Sequence, residues 1–309
     1  MSLGHPETPT NRRRVCAVVV TYHPDLAVTM DLLRQLDDSA CDFLVIDNHS
    51  SNIAELKASV EPLSSCQGLL ALEENIGQAA ALNRALDEVA RRGYELALLF
   101  DQDSSIGAHF VENLLTAWDE AQALTPGRVA AVGPRLVEPH SGRRMPFRSF
   151  RRLLERQESP ATPDGKLIHT AFLITSGSLV SLQALTHIGP MRSDYFIDNV
   201  DLEWCFRAVS KGYALYGSEH ASLLHRIGED SDNPLVKRGL IVQHSALRYY
   251  YSTRNRRHLH RQTYAPLVWR IKDNVRWALK TLYLLLTSAE RRAFWSSLRR
   301  ALRDARHLP

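Results

Sequence analysis

The sequence predicts an α/β protein built on a doubly wound, mostly parallel sheet. Three observations carry that reading. Short β-branched and aliphatic runs alternate with segments of helical spacing from Val15 to Val132. The runs are apolar throughout, as strands covered on both faces are. Each ends in polar residues (Tyr22-His23, Asp47-Asn48, Asn75, Asp101-Gln102-Asp103), and such sheets bind ligands outside the carboxyl ends of their strands.

In order, residues 1–14 are polar and rich in Pro, Thr and Arg, and read as a disordered lead-in without a signal-peptide core. Val15 to Thr21 is the first strand, and Leu26 to Leu36 has helical spacing. Phe43 to Ile46 is the second strand, followed by a helix over Ile53 to Val60. Leu69 to Leu72 is the third, followed by a helix from Gln78 to Arg92. The run Leu96 to Phe100 drives into Asp101 and Asp103, which therefore mark its C-terminal end. A helix over Phe110 to Ala123 and a strand over Val129 to Val132 follow. Residues 138–169 break the alternation and read as a long surface excursion, in the manner of an active-site loop. Thr170 to Ser181 reads as a strand kinked at Ser176-Gly177, where a ligand could approach the backbone closely. The expected division is a catalytic domain over 15–262, with a nucleotide-binding half at 15–135 and an acceptor-binding half at 136–262, and a basic helical tail over 263–309.

Composition narrows the function classes. Cys16, Cys41, Cys66 and Cys205 have no paired spacing, which excludes a zinc site or a disulfide frame and points to a reducing, cytoplasmic setting. From Arg248 onward there are 15 Lys and Arg against three acidic residues, whereas the first 247 residues hold 23 basic and 31 acidic ones. The basic tail implies an anionic partner, nucleic acid or a membrane surface. No base-stacking or groove-reading motif supports nucleic acid. A dinucleotide fingerprint and a phosphate-binding Gly-Lys loop are both missing, which excludes a typical dehydrogenase and a P-loop enzyme.

Two carboxylates one residue apart at the mouth of a sheet are costly unless a cation sits between them. The alternative is that Asp103 or Ser104 caps the helix at Phe110. Asp198, Asp201 and Glu203 cluster where another helix begins: they complement its dipole, or one acts as a general base. Glu203 and Arg207, four apart, form a natural ion pair, and Trp204 reads as helix core.

Taken in order, Thr21-Tyr22-His23-Pro24, Asp47-Asn48, Asn75-x-Gly77, Asp101-Gln102-Asp103-Ser104, Thr175-Ser176-Gly177, Phe196-Ile197-Asp198-x-Val200-Asp201-x-Glu203-x-x-x-Arg207, His225-Arg226-Ile227-Gly228 and Tyr249 to Asn255 resemble the inverting family 2 glycosyltransferases of GT-A fold. More narrowly they resemble bacterial rhamnosyltransferases using dTDP-L-rhamnose. The resemblance spans Val15 to Asn255. It implies a nucleoside pocket at Thr21, Tyr22, His23, Asp47 and Asn48, with Asp47 accepting from the pyrimidine N3–H, and a loop at Asn75 and Gly77 beside base and ribose. It implies a divalent cation, Mg²⁺ or Mn²⁺, on Asp103 with Asp101 and His225. Asp101 and Gln102 would also face the donor, Arg254-Asn255 would close over the diphosphate, and Asp201 would be the base. Ser176, Gly177, Asp198 and Trp204 would serve the acceptor. Val200 stands where many relatives have an acidic residue, and the loop after Asn75 is poor in Gly.

The implied reaction moves rhamnose to a hydroxyl of a lipid-linked saccharide or rhamnolipid. Another sugar nucleotide, or a nucleotidyltransferase activity, would use similar parts. The tail gives two amphipathic segments, Leu267 to Leu285 and, after a Thr287-Ser288-Ala289-Glu290 capping box, Phe294 to Ala305. Their cationic flanks suit peripheral contact with anionic lipid on the inner face of the plasma membrane, or packing on the catalytic domain.

Overall fold

The structure, a computed structural model, describes residues 14–139, 141–151, 158–224, 245–288 and 290–309. Its first half repeats one unit: β1 (Val15–Thr21), α1 (Leu26–Asp38), β2 (Phe43–Asp47), α2 (Ile53–Val60), β3 (Cys66–Ala71), α3 (Gln78–Arg91) and β4 (Leu96–Asp101). Asp25 starts α1 by accepting from the backbone N–H of Ala27 and Val28. In β1, Cys16 and Val18 face one core and Ala17 and Val19 the other, and in β2 Leu44 and Ile46 oppose Phe43 and Val45 in the same way. Burying each large apolar side chain is worth about 1.5–3 kcal/mol, so a carboxylate is tolerable only where these runs end.

After β4 the chain forms β5 (Ser105–Ile106), α4 (Phe110–Leu124), β6 (Val129–Val137), β7 (Ser159–Pro160), β8 (Leu167–Thr170), β9 (Leu179–Ser181) and α5 (Leu182–Ile188). A 3₁₀ turn at Ser193–Tyr195 precedes α6 (Val200–Ser210), β10 (Ala214–Leu224), α7 (Ala246–Leu259), α8 (Leu267–Thr287) and α9 (Arg291–Asp304). The strands join in one sheet in the order β3-β2-β1-β4-β9-β6-β10-β8-β7, with β5 pairing β10. Strands β1 to β4 are parallel to one another, as are β6 and β10; β9 enters antiparallel between β4 and β6, and β8 and β5 pair antiparallel with β10. Successive strands run outward from β1 to β3, then the chain returns to place β4 on β1's other side. The crevice where the order reverses lies between the carboxyl ends of β1 and β4.

Several expectations are corrected here. Thr170 to Ser181 is not one kinked strand: β8 and β9 are separate and pair with different neighbours. Neither Asp103 nor Ser104 caps α4, which begins after His109; the Ser104 hydroxyl instead meets that of Ser176. The described part of the excursion after β6 is anchored. Buried Arg135 makes a bidentate pair with Glu158 at 2.6 and 2.8 Å, and Phe147 packs on Gly217, where an added Cβ would lie 2.3 Å from the ring. The capping box is not formed, because Ser288 ends α8 and its hydroxyl accepts from Glu290 N–H.

The tail packs on the catalytic half through part of its surface. Phe294 and Leu298 of α9 and Leu284 of α8 close over Tyr249 of α7. The Pro309 carbonyl accepts from Arg192 and pairs with His258 Nε2. The other side of α8 stays open: Leu267, Ile271, Val275, Leu279, Leu282 and Leu286 are 46–69% exposed along one stripe. Among the described residues no helix is long and apolar enough to cross a membrane.

Candidate active site

A cavity of about 970 Å³ opens over the β1/β4 crevice. The end of β1 supplies Thr21 and Tyr22, and the end of β4 supplies Asp101, Gln102 and Asp103. The two ends are tied together: Gln102 Oε1 accepts from Tyr22 N–H at 2.7 Å, and the Gln102 carbonyl accepts from Thr29 Oγ1 at 3.0 Å. Asn48 and Asn75 form the next edge. Asn48 Nδ2 donates to Asn75 Oδ1 at 2.9 Å, Asn48 Oδ1 accepts from Ile76 N–H, and Asn75 Oδ1 also accepts from Gly77 N–H. Gly77 has φ +85°, and a Cβ there would lie 2.8 Å from the Phe196 Cα, so close approach as well as conformation requires glycine.

Asp101 is desolvated and faces Asp103, and these effects, burial first, push its carboxyl up to about 6 despite Arg248 nearby and a 3.0 Å hydrogen bond from Gln78 Nε2. Asp103 is exposed to the cavity. A divalent cation between the two would relieve that repulsion. Among the described residues no three His, Cys, Asp or Glu side chains form a complete metal cage. Two carboxylates with open positions fit a cation that shares its shell with phosphate oxygens and water. His225 lies outside the described residues.

Across the cavity stands Asp201, in the first turn of α6. Burial chiefly, with the charges of Asp101 and Asp198, pushes it up to about 7, although the Leu202 N–H donates to it at 2.7 Å. The segment leading to it is unusual. Phe196, Asp198 and Asn199 have φ of +62°, +66° and +62°, a region that costs non-glycine residues roughly 1–2 kcal/mol each. It is pinned from behind by Asn255, whose Nδ2 donates to the carbonyls of Tyr195, Ile197 and Asp198 at 2.8, 2.8 and 2.9 Å. Asp198 pairs with Arg248 at 3.2 Å.

The structure thus brings Thr21, Tyr22, Asn48, Asn75, Gly77, Asp101, Gln102, Asp103, Asp198 and Asp201 to one cavity. Other expected site residues lie elsewhere, for identifiable reasons. Asp47 is buried beneath the crevice, and its oxygens accept from Thr21 Oγ1, Ser50 N–H and Ser50 Oγ, so it orders the loop after β2. His23 turns to Ser50 and Ser51. Ser176 and Gly177 sit behind the wall, where a Cβ on Gly177 would lie 2.8 Å from Pro134; Ile174 and Thr175 line the cavity instead. Trp204 is core, its indole N–H donating to the Gly189 carbonyl at 3.0 Å. Arg254 donates to the carbonyls of Asp194 and Tyr195 and to Asn255 Oδ1, so this pair braces the loop that leads to Asp201.

Sequence reasoning passed over Gln78, Arg248, Tyr251, Ser252, Arg256 and Lys280, all of which line the cavity. The signal for part of this set is helical phase: Arg248, Ser252 and Arg256 recur every four residues on one face of α7, with Arg254 turned away from it. Glu203 is fully buried and bidentate to Arg207 at 2.9 Å, with Tyr264 Oη donating to it at 2.6 Å.

No known family profile matches the sequence. A dTDP-rhamnosyl transferase of Shigella flexneri, RfbF, is 28% identical over 275 residues, spanning 88% of each chain. Among solved structures, a mannosyltransferase of Pyrobaculum calidifontis with GDP-Man and Mn²⁺ superposes with a TM-score of 0.56 at 17% identity, covering 97% of this chain and 77% of that one. S. aureus TarS residues 1–349 with UDP-GlcNAc gives 0.56 at 13% identity, covering 94% and 80%. GalNAc-T7 with UDP, GalNAc and Mn²⁺ gives 0.60 at 9%; the chain covers 57% of that structure's length. Fold and sequence similarity together identify the chain as a glycosyltransferase of GT-A fold.

Proposed function

We propose that the chain transfers L-rhamnose from dTDP-L-rhamnose to a hydroxyl of a lipid-linked saccharide or glycolipid, by a single inverting displacement. The observation that carries the mechanism is the pairing across one cavity of a strand-end carboxylate pair, Asp101 and Asp103, with a separate desolvated carboxylate, Asp201. The similarity to RfbF supports the donor.

In this reading Thr21, Tyr22, Asn48, Asn75 and Gly77 hold the nucleoside side of the donor. Asp103, with Asp101, would hold Mg²⁺ or Mn²⁺, which offsets the charge developing on the departing diphosphate. Asp201 takes the proton of the acceptor hydroxyl as its oxygen bonds to the anomeric carbon. The bond from that carbon to the phosphate oxygen breaks with its electrons on dTDP. Attack from the face opposite the leaving group turns a β-linked donor into an α-rhamnoside. Asp201 is suited to this because a base ionised near neutral pH is also strong enough to accept the proton. Membrane contact completes the reading: the exposed stripe on α8 and the basic tail suit a surface of anionic lipid carrying the acceptor.

The test is release of nucleoside diphosphate from a panel of sugar nucleotides, with and without EDTA. Turnover of dTDP-L-rhamnose above the other donors, lost with EDTA and in Asp103→Ala, is the expected result. Failure of every donor, or full activity of Asp103→Ala, would sink it.

A further inference from the structure

The C-terminal wall of the cavity carries three cations. Arg248 and Arg256 stand two turns apart on α7, and Lys280 comes from α8, in the tail. Two are compensated: Arg248 pairs with Asp198 at 3.2 Å, and Arg256 Nε with Asp273 at 2.9 Å. Lys280 is different. Among the described residues no carboxylate forms an ion pair with it and nothing accepts a hydrogen bond from its amine. Burial above all, with the like charges of Arg256 and Arg248, holds its amine down to about 8. A desolvated ammonium beside two guanidinium groups is unfavourable in isolation and becomes favourable when an anion binds among them.

Position separates this anion from the donor's diphosphate. Arg248 pairs with Asp198, three residues before the proposed base, and Arg256 stands on the same face of α7. The cation therefore belongs to the wall shared with Asp198 and Asp201. Lys280 also lies five residues from Val275, about 140° around α8, so the helix turns this charge into the cavity while its exposed apolar stripe faces away.

We propose that Lys280, with Arg256 and Arg248, forms an anion subsite for a phosphate or diphosphate group carried by the acceptor. The tail thereby becomes part of the active site. The inference deepens the acceptor half of the function proposed above, and its test does not depend on turnover.

The experiment titrates metal-free, full-length protein with inorganic pyrophosphate, with and without saturating dTDP. Wild type should bind pyrophosphate in both cases. Lys280→Gln and Arg256→Gln should each weaken it at least tenfold, and Lys280→Arg should restore most of it, while dTDP affinity stays within twofold and thermal melts match wild type. Pyrophosphate binding that dTDP displaces, or a Lys280→Gln variant that loses dTDP instead, would assign the anion to the donor and overturn the proposal. Unchanged pyrophosphate binding in Lys280→Gln would overturn it as well. Should dTDP itself fail to bind, the donor reading falls, and the pyrophosphate arm still decides whether the cationic wall holds an anion.

Discussion

Asp201 offers the sharpest test because its environment fixes a number. Burial, with Asp101 and Asp198 adding like charge, puts its carboxyl at about 7. The ionised fraction is then about one tenth at pH 6, half at pH 7 and nine tenths at pH 8, so a rate that needs the carboxylate rises about tenfold across that range. A carboxylate at its ordinary value would be ionised throughout and give a flat profile. The assay is kcat/KM for the sugar-nucleotide donor at saturating acceptor, at constant ionic strength and fixed Mn²⁺. A cation on Asp101 and Asp103 offsets one of the lesser repulsions and moves the limb down in pH, but burial is the largest cause and keeps it above the ordinary carboxylate range. Asp198→Asn should move the limb lower still, because it removes a like charge and leaves Arg248 uncompensated nearby. Activity already independent of pH from 5 to 8, as for a carboxylate at its ordinary value, or a limb that Asp198→Asn moves upward, would refute the assignment.

Three further outcomes follow from the geometry. Asn255→Ala removes an amide whose two N–H donors, each worth about 1 kcal/mol, are shared among three carbonyls of a loop with three left-handed residues; kcat should fall 10- to 100-fold with the donor KM nearly unchanged, as steady-state kinetics would reveal. Glu203→Gln leaves Arg207 without its buried partner and should cost about 3 kcal/mol, read as a lower urea midpoint at constant m. The pair Leu279→Lys and Leu286→Lys should abolish co-sedimentation with phosphatidylglycerol vesicles while sparing turnover of a short soluble acceptor; undiminished sedimentation would remove the stripe from the membrane reading.

What could be read from the sequence tracks how local the signal is. The strands β1, β2 and β4 are unbroken apolar runs ending in polar residues, so their boundaries and the crevice they build follow from patterning alone. The lining by Asp101 and Asp103 follows from the same logic, whereas Asp201, in the first turn of α6, was singled out by the family resemblance. Asp47 defeated it because a strand-end carboxylate can be satisfied by its own loop, and here Thr21 and Ser50 do so. Arg254 and Asn255 were legible as a motif but not in direction, which their contacts with Asp194, Tyr195, Ile197 and Asp198 decide. Lys280 had no local signal at all. Its place in the cavity depends on how α8 crosses α7, and that is fixed by contacts between residues far apart in sequence.

The Asn255 clamp also imposes an order on the making of the enzyme. Strands β1 to β4 and their helices are consecutive in the chain and leave the ribosome first. The loop that presents Asp201 has by then been synthesised, but its left-handed turns lack the amide that holds them until residue 255 emerges. Lys280 arrives later still. The residues of the β1/β4 crevice are therefore made before the amide that fixes the loop carrying Asp201.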